Sequence, residues 1–101
     1  MDNFRILVAY CSVHGSTAEI ARGIALTLRR VGIDVDVMPA GEVTDVGLYD
    51  SVIVGSAVYG GQWRKEAAGF LSEFAPDLSN RDLWLFQSGP LGRSAQHIVR
   101  A

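Results

Sequence analysis

The chain is poor in cysteine, has no excess of basic charge and carries no long apolar run, and each shortage closes off a class of function. Cys11 is the one cysteine in 101 residues. It cannot form an internal disulfide, so the composition excludes a disulfide-stapled secreted scaffold and fits a reducing, cytoplasmic compartment. Nine lysines and arginines stand against eleven aspartates and glutamates, a formal net charge of −2. That balance leaves no electrostatic footprint for nucleic acid and no polybasic patch for a lipid surface. No apolar stretch is long enough to span a membrane, and the amino-terminal MDNFR lacks the layout of a signal peptide. The two histidines, His14 and His97, are isolated, which is too few ligands for a metal site.

Several chemistries that use a strand–loop–helix geometry are also missing their motifs. The loop after the first apolar run reads CSVHGST. It contains neither the G-x-G-x-x-G of dinucleotide sites nor the G-x-x-x-x-G-K-[ST] of nucleoside triphosphate sites. One cysteine cannot make a thioredoxin-like C-x-x-C. Cys11 opens the loop as the nucleophile of a small tyrosine phosphatase does, but the arginine required six positions on is Thr17. Without that cation neither the thiolate nor the transition state is supported, and Cys11 reads as a small buried residue. A phosphate-accepting receiver domain needs an aspartate at the end of its third strand, where this chain has Val54-Gly55-Ser56.

What is present is an alternation of apolar strands and amphipathic helices. Hydrophobic residues make up 49% of the chain, which points to strands buried on both faces or to a surface meant to be covered. Arg5 to Tyr10 is a near-continuous apolar run, predicted as a central parallel strand. Ser16 and Glu19 fit a capping box, and Ile20, Ala21, Ile24, Ala25, Leu28 and Val31 fall on one helical face that Gly32 terminates. Ile33 to Met38 alternates strictly, predicting an edge strand. Pro39 to Asp50 is a loop or a short helix, and Ser51 to Ala57 a buried third strand. Ala67, Phe70, Leu71 and Phe74 mark a second helix ended by Pro76, Leu83 to Phe86 a fourth strand, and Ser94 to Ala101 the start of a further helix. This order predicts a single α/β domain over residues 1–101 with an open parallel sheet of strand order 2-1-3-4.

The unusual residues collect in the loops leaving strands, not in those entering them. CSVHGST, SAVYGGQW and QSGPLG are rich in glycine, hydroxyls and aromatics, and in a parallel sheet all three lie at the carboxyl end, where open α/β sheets bind ligands. The hydroxyls of Ser12, Ser16 and Thr17, the backbone N–H groups of His14, Gly15, Ser16 and Thr17, and the helix amino end form a donor set for a phosphate monoester without a formal cation. The same loop is compatible with a plain strand–helix turn. Tyr59 and Trp63 beside Gly60-Gly61 suggest a face for a flat conjugated ring, although Trp63 equally fits packing under the following helix. Ser88 to Gly92 adds backbone donors with little bulk, or is a Pro-Gly turn.

These segments resemble the flavodoxin family. SVHGST is similar to its phosphate loop, S/T-x-T-G-x-T, with His14 in place of threonine; GSAVYGGQW and QSGPLG are similar to its two ring-side loops, most like the menaquinone-dependent protoporphyrinogen oxidase type. The resemblance implies a flavodoxin-like fold and bound flavin mononucleotide (FMN). Ser12, His14, Gly15, Ser16 and Thr17 would hold the phosphate, Tyr59, Gly60 and Gly61 would line the isoalloxazine, and Ser88, Gly89, Leu91 and Gly92 would stand on its other side. It implies an FMN-dependent oxidoreductase, with a quinone or a redox protein as partner; an electron carrier without a substrate of its own and a flavin-free interaction piece are the alternatives. The family also has a fifth strand and a last helix that this chain stops short of, which leaves Leu83 to Phe86 as an apolar edge: either the chain is a fragment, or another chain covers that edge, as in a homo-oligomer, or the domain is unstable as written.

Overall fold

In the computed structural model, residues 4–13, 15–89 and 97–100 are described; for Tyr59 and residues 97–100 this applies to the backbone alone. The elements are β1 (Arg5–Cys11), α1 (Ser16–Arg30), β2 (Asp34–Pro39), a 3-10 turn (Ala40–Glu42), β3 (Ser51–Tyr59), β4 (Gln62–Trp63), α2 (Lys65–Glu73), α3 (Ala75–Leu78), β5 (Asp82–Ser88) and β6 (His97–Arg100). The sheet runs β2-β1-β3-β5-β6, with β4 paired to β3 outside that path. β1, β2, β3 and β5 are mutually parallel, so the predicted order 2-1-3-4 holds once the two-residue β4 is counted.

Continuous apolar strands follow from burial on both faces. Ile6 and Val8 pack under α1 with Ala21, Ala25, Val35, Ile53 and Phe86. Leu7 and Ala9, from the same strand, face the opposite layer with Val52, Val54, Val46, Phe70, Phe74 and Leu78. α1 ends as predicted at Gly32, whose φ of 89° is accessible to glycine at little cost. The Gly32 N–H donates to the Arg29 carbonyl and the Ile33 N–H to the Leu28 carbonyl, which closes the helix with a Schellman motif. Pro76 does not follow a single long helix: α2 stops at Glu73, and the proline lies in the first turn of α3, where its missing N–H costs little.

Two expectations are corrected at the carboxyl-terminal end. Residues 97–100 do not continue a helix but form β6, antiparallel to β5, with Leu85 opposite Val99 and Phe86 opposite Ile98. An unpaired strand edge attracts any segment able to complete its ladder, and the β-branched Ile98-Val99 pair suits a strand better than a helix. The edge at Leu83 to Phe86 is therefore paired by the chain itself, which removes the reason given for a homo-oligomer. Apolar surface does remain on the α1 face. Phe4 and Trp84 are exposed at 50% and 37% and border a groove of about 340 Å³ with Ile6, Ile24, Leu28 and Ile53.

At the amino end of the sheet the edge strand is tied down by polar contacts. The Tyr49 hydroxyl donates to Asp36 Oδ2 at 2.7 Å, and Arg5 reaches the same oxygen at 3.2 Å. Burial, then the hydrogen bond and charge of Asp36, push the Tyr49 phenol up to about 12. Among the described residues no helix is long and apolar enough to cross a membrane.

Candidate functional site

The parallel register brings the three distinctive loops to one end of the sheet. Cys11 at the end of β1 lies opposite Ser56 of β3, and Ala57 lies opposite Ser88 at the end of β5. The loop from β1 does more than flank its neighbour. It carries Ser16 to within 2.9 Å of the Ser88 hydroxyl, joining the ends of β1 and β5 across 72 residues of sequence.

The start of α1 differs from its sequence signature. The predicted capping box is not formed: Gly15 is the N-cap, no side chain caps the helix, and Ser16 is the first helical residue with its hydroxyl on Ser88. Gly15 adopts φ 89°, a left-handed conformation that permits the abrupt turn from loop into helix. Its N–H donates to Ser12 Oγ at 2.9 Å, so this amide is already committed within the loop. The first intrahelical bond is Glu19 N–H to the Gly15 carbonyl. The amides of Ser16, Thr17 and Ala18 precede it and have no acceptor inside the helix. Those three N–H groups, with the positive end of a 15-residue helix dipole, form a donor set that an anion could accept from. Ser12 and Ser16 are half-buried at its rim, whereas Thr17 is buried beneath at 1% exposure.

The second loop is a two-residue hairpin. Tyr59 pairs with Gln62, and Gly60 and Gly61 have φ of 60° and 77°. Positive φ at both central positions is the requirement of a type I′ turn, which explains the adjacent glycines. Trp63 packs against the core, and its indole N–H donates to Gln87 Oε1 at 3.2 Å, so it anchors the hairpin to β5 and follows the packing alternative. Ser56 fixes the return of the chain: its hydroxyl oxygen accepts the Arg64 N–H at 2.9 Å. A Cβ added at Gly15, Gly60, Gly61 or Gly89 would meet no described atom within 4 Å. His14, Leu91, Gly92 and the Tyr59 side chain lie outside the described residues.

Two residues at this end were not anticipated in these roles. Cys11 is half-buried, and its thiol lies 3.6 Å from Glu66 Oε1 in the first turn of α2. Burial and the Glu66 carboxylate push the thiol up, which keeps it protonated near neutrality and removes it as a nucleophile. Gln87 was hidden in the run QSGPLG, where nothing distinguishes it from a loop polar residue. Among the described residues no group of three acidic, histidine or cysteine side chains is arranged to hold a metal ion.

Residues 7–100 match the family model described as a flavodoxin domain. The fold is similar to oxidised Flavodoxin 2 from Bacillus cereus, at 29% identity and a TM-score of 0.75 over 88% of this chain and 64% of that one. It is similar also to the flavodoxin of Streptococcus pneumonia TIGR4, at 30% identity and 0.76 over the same shares. A Fusobacterium nucleatum flavodoxin bound to flavin mononucleotide shares the fold at 17% identity and 0.70, over 84% of this chain and 52% of its own. The chain thus spans 64% of the length of the first two structures. No curated protein matches it.

Proposed function

The chain belongs to the flavodoxin domain family, and on that premise we propose that it binds FMN non-covalently at the carboxyl end of its sheet and transfers electrons through it. The observation that carries this reading is the meeting of the three loops, with the amino end of α1 drawn over to β5 by the Ser16–Ser88 contact at 2.9 Å. The residues present fit the group. Three helix-start amides and two rim hydroxyls suit a terminal phosphate, and glycines whose added Cβ would meet no described atom suit the approach of a flat ring. Ser12, His14, Gly15, Ser16 and Thr17 are assigned to the phosphate loop, with Gly15 acting through its conformation because its N–H is held by Ser12. Tyr59, Gly60 and Gly61 are assigned to one side of the ring, and Gly89, Leu91 and Gly92 to the other.

When bound, the flavin supplies the redox chemistry, and the protein supplies position and environment. The helix-start amides hold the phosphate end by dipoles that are already oriented, so little reorganisation accompanies binding. The Trp63–Gln87 bond ties the hairpin to the carboxyl end of β5.

Two uses of such a flavin are open to this chain. An electron-carrier module is favoured by the family and passes electrons to a partner protein. A quinone-linked oxidoreductase of the menaquinone-dependent protoporphyrinogen oxidase type is favoured by the run GSAVYGGQW and by a net charge of only −2, little for docking to a basic partner. The single cysteine favours a cytoplasmic setting for either. The test is the visible spectrum of the protein reconstituted with FMN, followed by stopped-flow mixing with a quinol or protoporphyrinogen. A flavin spectrum that bleaches with either compound supports the enzyme. A flavin spectrum without turnover leaves the carrier, and failure to take up FMN overturns the proposal.

A further inference from the structure

We propose that Ser88 is a positioning residue that orients the Ser16 hydroxyl toward a bound anion, and is not a contact to the flavin ring. This rests on the reading of the α1 amino end as the phosphate site. Ser88 is 1% exposed, so its side chain does not stand on the surface that a ring would cover. Its backbone is held in the β3–β5 ladder opposite Ala57, which makes it a fixed point at the end of a central strand. Its hydroxyl lies 2.9 Å from that of Ser16, the first residue of α1.

The direction of that hydrogen bond decides what Ser16 offers. A serine hydroxyl has one proton and two lone pairs. If Ser16 donates to Ser88, it turns only lone pairs toward an incoming anion, and the contact is repulsive. If Ser88 donates to Ser16, the Ser16 proton is released for the anion. The resulting chain, from Ser88 O–H to Ser16 O–H to phosphate oxygen, strengthens each link by polarisation. Ser88 thereby sets the polarity of a loop donor 72 residues away without touching the ligand. A sequence pattern cannot reveal this, because Ser88 belongs to a run that reads as ring-side loop.

The test compares dissociation constants for FMN and riboflavin in the full chain, read by quenching of flavin fluorescence. Riboflavin lacks the phosphate, so the ratio of the two constants isolates the phosphate contribution. Ser88→Ala should weaken FMN by roughly two- to threefold, because the Ser16 hydroxyl keeps its bond to the phosphate but loses the polarisation and fixed orientation that Ser88 supplies, and should leave riboflavin unchanged. Ser88→Thr, which keeps the hydroxyl, should restore most of the ratio. In a Ser16→Ala background the Ser88→Ala change should have no further effect, because the two residues act as one unit. Equal weakening of FMN and riboflavin, an unchanged ratio, or additive effects of the two substitutions would each overturn the assignment. If Ser88→Ala does not fold, Ser88→Cys, similar in size but a weak donor, carries the same comparison. A wild-type protein that binds FMN no better than riboflavin would remove the phosphate site itself. A wild-type preference with an insensitive Ser88→Ala would remove this inference alone.

Discussion

At the scale of single residues, one buried phenol makes stability depend on pH. Tyr49 is 7% exposed, donates to Asp36 at 2.7 Å and has its phenol raised to about 12. In the folded state the proton is retained to higher pH than in the unfolded chain, where tyrosine titrates near 10. The folded state therefore binds more protons between those values. The stabilisation is fully present below about pH 10 and is lost as pH rises toward 12. Tyr49→Phe should cost about 1 kcal/mol at neutral pH, a discounted value because the Asp36 side chain is half exposed. In urea unfolding the gap between wild type and variant should narrow steadily above about pH 10. A gap that is constant across the alkaline range would mean that the hydrogen bond to Asp36 does not govern the phenol.

At the scale of elements, the seating of β5 on β3 depends on a glycine whose purpose the sequence did not disclose. Gly55 interrupts the apolar run SVIVGSA and is the ladder partner of Phe86. A Cβ at position 55 would lie 2.0 Å from Phe86 Cζ, because the ring, itself 1% exposed, lies over the glycine backbone. Gly55→Ala should destabilise the fold by roughly 1–3 kcal/mol through overpacking. Adding Phe86→Leu should recover part of that loss, since the smaller side chain vacates the space the methyl needs; the coupling expected is about 1 kcal/mol in thermal or urea unfolding. Strictly additive losses would show that the two positions do not meet. Local pattern foretold the four parallel strands, the amphipathic α1 and its stop at Gly32, because periodicity and a positive-φ glycine leave their marks within a few residues. It did not foretell β6, whose partner β5 is brought beside it by the sheet and not by local sequence. Nor did it foretell the partner of Ser16, since the local capping-box pattern competes with a hydroxyl that the sheet brings from position 88.

At the scale of the whole molecule, the site is a product of topology more than of any single motif. Parallel pairing of β1, β3 and β5 sends the loops that leave them to the same end, and the reversal of strand order between β1 and β3 makes that end the place where open α/β sheets take a ligand. The clustering of glycines and hydroxyls in alternate connections was legible in the sequence for this reason. The division of labour among them was not. Gly15 gives its amide to Ser12, Trp63 gives its indole to Gln87, and Ser88 meets the hydroxyl of Ser16 at the start of α1. Each of these depends on side chains meeting across the sheet.

The central claim is that oriented dipoles at the start of α1, without a cation, grip a flavin's phosphate. The most direct measurement is an amide NMR titration of the labelled protein with FMN and, separately, with riboflavin. The account predicts downfield amide-proton shifts at Ser16, Thr17 and Ala18 with FMN that are absent with riboflavin. Identical perturbations from the two ligands, or FMN-induced shifts that bypass these three amides, would contradict it.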